Sequence, residues 1–553
     1  MLNSALRNAA LDWIDQDPDP ETVAALGGLL NSAESGCQKA IVELADAFAG
    51  PLQFGTAGLR GKLGPGSNRM NRVVVARVAA GIADYLNSIG GQRIVIGYDA
   101  RVNSEVFARD TARIMAGAGI EALLLPQPLP TPVLAFAIGA FDCDAGIMVT
   151  ASHNPAQDNG YKVYLGDGSQ ITAPVDTDIA ARIIGIGPLA GVPQADSYHI
   201  VDTEILNRYV ARAVSLLGTG PREVCAVYTA LHGVGGDVFL AVVNNAGFPA
   251  PIPVQAQLKP DSRFPTLVYP NPEEPGVLDL AFKQARSANA DVVIANDPDA
   301  DRCAVAIRVD QDYRQLTGDE VGALLGWWIA ERERLHGGVI HGVYAQSIVS
   351  GTLLKHIAAS VGVDYAVTLT GFKWIAKVPG LRFGYEEALG YCCDPTAVRD
   401  KDGITAGLLI LELIAHLKAQ GLGPCDVLNN LARKFGLHAS AQLAIRFAAA
   451  GDVMAALARL RSSPPAELGG RAVVHFADLR TGVDGLPPTE GLRFDLDAAR
   501  VIVRPSGTEP KLKCYLEVVV KVGAADIGLA RAEAETTLAA LQTDIASILG
   551  HRH

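Results

Sequence analysis

Short apolar runs recur along the chain, and each ends on polar, turn-forming residues. Arg93–Tyr98, Ala145–Val149, Asp291–Ala295, Ala499–Val503 and Leu512–Val520 have the length and the valine and isoleucine content of buried strands. Between such runs lie longer stretches with helical spacing, for example from Ser104 onward and from Ala524 to Leu549. This alternation predicts βα units around mixed or parallel sheets, an α/β fold. Residues 1–45 read as a helical extension packed on the first domain. Pro20-Glu21-Thr22 marks a helix start there, and Ala40–Leu44 supplies an apolar face. Breaks in the pattern near 198–203, 316–319 and 448–452 divide the remainder into 46–200, 201–315, 316–448 and 449–553.

Four loops carry the candidate chemistry. Thr150-Ala151-Ser152-His153-Asn154-Pro155 follows the run Ala145–Val149 and places a serine hydroxyl on a turn, where an exposed nucleophile is expected. Asp158-Asn159-Gly160 is expected to turn again before Tyr161–Tyr164. Asn296-Asp297-Pro298-Asp299-Ala300-Asp301-Arg302 sets three carboxylates within five residues, behind a strand and around a proline. Converging hard oxygens suit Mg²⁺, whereas a solvated acidic loop is the bland reading. A calcium EF-hand fits poorly, because Arg302 and Arg308 stand where Gly and Glu belong. An aspartyl-nucleophile phosphatase of the haloacid dehalogenase type is a better rival, though Arg302 replaces its usual Thr or Val. Arg504-Pro505-Ser506-Gly507-Thr508-Glu509-Pro510-Lys511 offers a guanidinium fork, two hydroxyls and a glycine, donors suited to phosphate. It lacks the ending of a nucleotide P-loop. Gly384-Tyr385-Glu386-Glu387-Ala388-Leu389-Gly390 presents paired carboxylates of the kind that accept from sugar hydroxyls, with Arg399-Asp400-Lys401-Asp402-Gly403 beyond. Asp99 and Arg101, at the end of Arg93–Tyr98, are read as positioning a turn.

The order of these loops resembles the α-D-phosphohexomutase superfamily, in its phosphoglucomutase and phosphopentomutase branch. Phe54–Gly61 and Thr370-Gly371-Phe372-Lys373-Trp374 add to the likeness, which runs from about Pro51 to the end. The resemblance implies a four-domain, heart-shaped enzyme: three similar α/β domains and a smaller C-terminal α+β domain around a central cleft. It implies that Ser152 is the phosphoserine and, with Asp297, Asp299 and Asp301, holds Mg²⁺. Arg60, His153, Lys162, Arg302 and Lys401 match residues around the reacting phosphoryl group. Glu386, with Glu387, Lys373 and Arg399, is assigned to the sugar, and Arg504, Ser506, Gly507, Thr508 and Lys511 to the phosphate that is not transferred. The implied reaction interconverts glucose 1-phosphate and glucose 6-phosphate through a bisphosphorylated sugar, with glucose 1,6-bisphosphate as activator. Phosphopentomutase or phosphomannomutase activity is the alternative, since Ala388 stands where many relatives have Ser. A Mg²⁺-dependent sugar phosphatase and a non-catalytic sugar-phosphate-binding protein are more distant rivals. The general base is left open between His153 and Lys401.

Composition narrows the partners. The 553 residues, 49% hydrophobic with 57 Gly and 31 Pro, suit several α/β domains with many loops. A net charge of −12 argues against a nucleic-acid or anionic-membrane surface, so phosphate must be held by a few local cations. The expected partner is a small phosphosugar. The eight cysteines show no Cys-x-x-Cys spacing, and Cys392-Cys393 is read as structural. Four prolines between Pro126 and Pro132 interrupt the most apolar stretch, and the N-terminus lacks a signal-peptide core. These features point to the cytoplasm. Oligomeric state is not legible.

Overall fold

The computed structural model describes residues 2–55, 58–506, 510–522 and 526–550. The chain divides into two compact units, Met1–Gln315 with Gly390–Glu412, and Leu316–Leu389 with Leu413–His553. The return of 390–412 to the first unit departs from a linear division at 316–448. Local contacts explain it: a Cβ at Gly403 would lie 2.1 Å from the Arg302 carbonyl oxygen, so only glycine permits the approach there.

The first unit opens with three helices, α1 (Ser4–Ile14), α2 (Pro20–Glu34) and α3 (Gln38–Ala47). The N-cap Asp19 accepts from the Glu21 amide, with Pro20 in the first turn, as the sequence signals. Their buried faces, including Trp13, Leu26, Leu30 and Leu44, join one apolar core with Val73, Val75 and Ile82 of α4 (Arg72–Ile89). The first sheet contains β1 (Leu59–Lys62), β2 (Arg93–Tyr98), β3 (Glu121–Leu124), β4 (Ala145–Val149), β5 (Asp158–Leu165) and β6 (His199–Ile200), in the order β1-β5-β4-β2-β3-β6. Strands β4, β2, β3 and β6 run parallel, and β5 pairs antiparallel with β4 and β1. All five residues of β4 are buried, as a strand covered on both faces requires.

The second sheet contains β7 (Ala226–Thr229), β8 (Ile252–Pro253), β9 (Val292–Asn296), β10 (Cys303–Val309) and β11 (Asp312–Gln315), in the order β11-β10-β9-β7-β8. It repeats the same device: β9 lies parallel to β7 and is followed by the antiparallel β10. In both sheets the candidate loop sits at the C-terminal end of a parallel strand, where α/β proteins bind ligands.

In the second unit, β12 (Val343–Ser347) pairs parallel with β13 (Asp364–Thr368) and β14 (Leu381–Glu386). The helix Gly318–Leu335 starts on a capping box between Thr317 and Glu320. The remaining sheet is antiparallel around Leu437–Arg446, Leu492–Leu496, Ala499–Pro505 and Lys511–Val520, and the helix Ile527–Ile548 packs on it. Two of these strands, Ala499–Pro505 and Lys511–Val520, are the ones expected from the apolar runs Ala499–Val503 and Leu512–Val520. Among the described residues no helix is long and apolar enough to cross a membrane. Cys392 and Cys393 are buried free thiols.

Candidate active site

The loop between β4 and β5 turns at Ala156-Gln157, and Asp158-Asn159-Gly160 already belongs to β5. This corrects the expected second turn: pairing with β1 extends the strand backward, Gly160 opposite Arg60 and Asp158 opposite Lys62. Ser152 is also not exposed, with only 3% of its surface accessible. Its hydroxyl donates to Asp297 Oδ2 at 2.7 Å, and His153 Nδ1 lies 3.1 Å from Ser152 Oγ. A strand-end turn reads as surface in sequence, but here the acidic loop of the second sheet covers it. Arg60, across the sheet, donates to Asn154 Oδ1 at 3.0 Å.

The acidic loop is fixed by its own residues. The Ala300 amide donates to the Asp297 carbonyl, and Asn296 Nδ2 closes the loop onto the Arg302 carbonyl at 2.7 Å. Asp297, Asp299 and Asp301 are all buried, and one oxygen from each lies within 4.8 Å of the others. Lys162, on β5, donates to Asp299 Oδ2 and to Asp301 Oδ2, both at 2.6 Å. Thr131, at the start of the helix Thr131–Ala140, donates to Asp299 Oδ2 at 2.6 Å. Lys401 Nζ stands 3.2 Å from Asp301 Oδ2 and 3.1 Å from Asp400 Oδ1. Tyr164 and Gln170 in turn donate to Asp400 Oδ2, each at 2.7 Å. Arg302 Nε is 3.9 Å from both Asp297 and Asp301.

Burial and crowding set the ionisation. Burial, then Asp299 and Asp301, push the Asp297 carboxyl up. Burial acts in the same direction on Asp301, but Lys162, Lys401 and Arg302 outweigh it and hold that carboxyl well below its ordinary range. Burial would lower Lys162, yet Asp299 and Asp301 raise it overall, so it stays a cation. Burial lowers Arg60.

The triad fits a hard divalent cation. Its donor set is entirely oxygen, and the buried Oδ1 atoms of Asp299 and Asp301 accept no hydrogen bond among the described residues.

In the second unit, Glu386 Oε1 accepts from the Gly371 amide at 2.7 Å, at the head of the Lys373-Trp374 turn. Glu387, expected beside it at the sugar, is buried and turned onto Ser347 and Ser350, whose hydroxyls lie 3.0 and 3.1 Å from Oε2. Burial, then Glu386 and Asp319, push its carboxyl up to about 7, against the opposing charge of Lys513. Lys513 faces Arg504 across the last two strands. Ser506 donates its amide to the Lys511 carbonyl. Gly507 and Thr508 lie outside the described residues. Arg399 is exposed in the first unit and packs its Cβ 3.6 Å from a Cβ built at Gly168. It is not drawn into the hydrogen-bonded cluster around Ser152.

Sequence reading passed over Thr131, Asp400 and Tyr164. Each supports a predicted residue from another element, and nothing local marks it.

Four family models, for the alpha/beta/alpha domains I, II and III and the C-terminal domain of phosphoglucomutase/phosphomannomutase, match residues 51–187, 208–310, 317–435 and 447–534 in that order. The chain belongs to the α-D-phosphohexomutase superfamily. This phosphohexomutase is 47% identical over 457 residues, 81% of its chain and 93% of the relative, to a "probable phosphomannomutase" of Haemophilus influenzae. It is 32% identical over 584 residues, covering 95% of the chain and 93% of the relative, to the phosphopentomutase of Homo sapiens. A crystal structure of a phosphoglucomutase/phosphomannomutase family protein from Burkholderia thailandensis aligns with a TM-score of 0.68 at 19% identity, over 90% of this chain and 98% of that one, which shows the shared fold. The four-domain α/β architecture and the mutase class of enzyme follow from membership.

Proposed function

We propose that this phosphohexomutase moves a phosphoryl group between the two ends of a sugar phosphate, with Ser152 as carrier. The observation that carries the reading is the buried Ser152 hydroxyl bonded at 2.7 Å to one member of an all-oxygen triad. Phosphorylated Ser152 gives its phosphoryl group to a free sugar hydroxyl. The sugar O–P bond forms as the Oγ–P bond breaks, and the hydroxyl proton ends on Oγ. The resulting bisphosphate turns over and returns its other phosphoryl group to Ser152. His153 Nδ1, 3.1 Å from Oγ, is the base that fits this proton movement better than Lys401, whose ammonium is ion-paired with Asp301 at 3.2 Å and Asp400 at 3.1 Å. Asp297, Asp299 and Asp301 would hold Mg²⁺, which when bound polarises the phosphoryl group and offsets its charge. Arg60, Arg302 and Lys401 line the same cluster as cationic partners of the phosphoryl oxygens. Glu386 serves the sugar hydroxyls, and Arg504, Ser506, Gly507, Thr508 and Lys511 serve the resting phosphate, with Lys373 and Arg399 as outer contacts. Each of the domains 46–200, 201–315, 316–448 and 449–553 contributes one of these loops.

Glucose 1-phosphate and glucose 6-phosphate are the proposed substrate pair, with glucose 1,6-bisphosphate as activator. A pentose phosphate is the second reading. Ala388 removes one hydroxyl from the sugar loop, and a phosphopentomutase is among the relatives that match over nearly their full length. The test is a panel of glucose, mannose, ribose, deoxyribose and glucosamine 1-phosphates with Mg²⁺ and a trace of the matching bisphosphate. Formation of the terminal phosphate, lost in Ser152→Ala, is expected. Release of inorganic phosphate instead would identify a phosphatase, and undiminished turnover by Ser152→Ala would end the carrier role.

A further inference from the structure

Ser152 sits at φ +52°, in the left-handed region, where a residue with a Cβ is disfavoured by roughly 1–2 kcal/mol. Two bonds on its own backbone hold it there. Its amide donates to Thr150 Oγ1 at 2.9 Å, and its carbonyl accepts from Arg101 Nη2 at 2.6 Å. Both bonds lead to one ion pair. Thr150 Oγ1 donates to Asp99 Oδ2 at 2.6 Å, and Arg101 Nε lies 3.5 Å from that same oxygen.

The guanidinium does more than hold Ser152. Nη2 also donates to the Asn154 carbonyl at 2.6 Å, and Nη1 donates to the carbonyls of Pro155 and Asp158 at 2.8 and 3.1 Å. Three carbonyls of the turn and that of Asp158, where β5 begins, thus converge on a side chain that is only 4% exposed. Asp99 is equally committed: it accepts from the Arg101 amide at 2.9 Å and from Ser104 Oγ at 2.6 Å. Phe264 covers the outer face of the guanidinium, its ring 5.0 Å away. A salt bridge meant only for stability would not aim its fork at the backbone of a single turn. Lysine cannot copy the arrangement, since its three donors leave one atom whereas these four bonds leave two nitrogens at fixed separation.

We propose that Arg101, braced by Asp99, is a positioning residue for phosphoryl transfer: it pins the Ser152 turn so that Oγ returns to one point whether it is attacking or leaving. The inference rests on the reading of Ser152 as phosphoryl carrier. A carrier used in both directions needs this more than a simple nucleophile does, because its oxygen is alternately bare and esterified while the turn must not relax between the two states. Loss of the clamp therefore acts on transfer itself and spares sugar binding, which uses other loops.

The experiment compares wild type with Arg101→Lys and Thr150→Val, the second of which removes the amide anchor and one hydrogen bond to Asp99 but leaves both charges of the buried pair in place. Intact-mass analysis after incubation with glucose 1,6-bisphosphate and Mg²⁺ first follows phosphate uptake on Ser152. Stopped samples give its rate, and steady-state kinetics then give kcat and KM. Both variants are expected to lose about 10- to 100-fold in kcat and in the uptake rate, with KM within about threefold of wild type. If wild type takes up no phosphate at Ser152, the carrier reading falls and the clamp with it. If wild type is phosphorylated and the folded variants match its kcat and uptake rate within about twofold, the clamp alone is refuted. Should Arg101→Lys fail to fold, as its melting curve would reveal, the same criteria applied to Thr150→Val decide.

Discussion

Replacing Lys162 with methionine tests the charge balance of the acidic loop most directly. The ammonium stands 2.6 Å from an oxygen of Asp299 and 2.6 Å from one of Asp301. At an effective dielectric constant of about 20, each such pair is worth roughly 6 kcal/mol of Coulomb attraction, most of it offset by the cost of burying the charges. Removing one partner of a buried pair leaves that cost uncompensated, and the usual result is a loss of about 3–5 kcal/mol. Methionine keeps the length and apolar stem of lysine, so packing changes little. Lys401 and Arg302 remain, but Lys401 divides its charge between Asp301 and Asp400, and Arg302 Nε stays 3.9 Å from its carboxylates.

The chain has several domains, so a single unfolding midpoint would blur the effect. Hydrogen exchange of peptides spanning β5 and the β9–β10 hairpin reads it locally. In metal-free buffer, exchange there is expected to quicken by about two to three and a half orders of magnitude, at roughly 1.4 kcal/mol per tenfold. Mg²⁺ is then expected to slow exchange more in Lys162→Met than in wild type, because a divalent cation supplies the charge that the variant lacks. Exchange within about threefold of wild type in metal-free buffer would refute the charge balance. An equal response to Mg²⁺ in both proteins would show that the metal does not sit on these carboxylates.

Three further outcomes are expected. Asp299→Asn removes one of two buried carboxylates with an unclaimed oxygen, so it should raise the Mg²⁺ concentration needed for activation and lower turnover by orders of magnitude; an unchanged activation curve would sink the metal assignment. Arg504→Ala should cost about 10- to 150-fold in kcat/KM, the equivalent of a charge-assisted contact of roughly 1.5–3 kcal/mol, while Ser152 still takes up phosphate. Glu387, raised to about 7 in the fold from 4.5, stabilises the second unit most below pH 4.5 and loses that contribution as pH rises toward 7. The loss is roughly 3 kcal/mol, and Glu387→Gln should flatten the pH dependence of melting across that window.

The strands and the places of the candidate loops at their ends were legible because each announces itself locally. A run such as Ala145–Val149 is apolar throughout, and three aspartates in five residues have few other uses. What stayed hidden was support arriving from elsewhere in the chain. Thr131 lies in a proline-rich stretch whose composition says loop, yet it fixes Asp299 from 168 residues away. Asp400 reads as one charge in a polar run, and only the fold reveals that Tyr164 and Gln170 aim it at Lys401. Glu387 illustrates the opposite error. Two adjacent carboxylates look equivalent in sequence, but Glu386 ends β14 and accepts from the Gly371 amide, whereas Glu387 opens the following turn and is buried against Ser347 and Ser350. Ser152 was judged exposed for a related reason: a turn lies at the surface of its own sheet and gives no sign that a second sheet's loop will cover it.

Each of the three candidate loops that end a parallel strand holds one non-glycine residue in the left-handed region: Ser152 at φ +52°, Ala300 at +54° and Leu389 at +61°. Glycine would adopt this conformation without strain, so a side chain kept there must be needed. In the proposed reaction Ser152 supplies the reacting hydroxyl. Ala300 is fully buried, and its methyl fills the space beside Gly235, where an added Cβ would come within 2.9 Å of it. Leu389 is 2% exposed and anchors the turn after β14 in the core. The strain is offset by nearby bonds in each case: Asp99 and Arg101 around Ser152, the Asp297 carbonyl and the Gly403 amide on either side of Ala300, and the serines that hold Glu387 two residues before Leu389. A turn fixed this way has one conformation rather than several. Phosphoryl transfer draws nearly all its acceleration from such fixed placement of charges and donors, so rigidity bought in these loops is spent on the chemistry and not on stability.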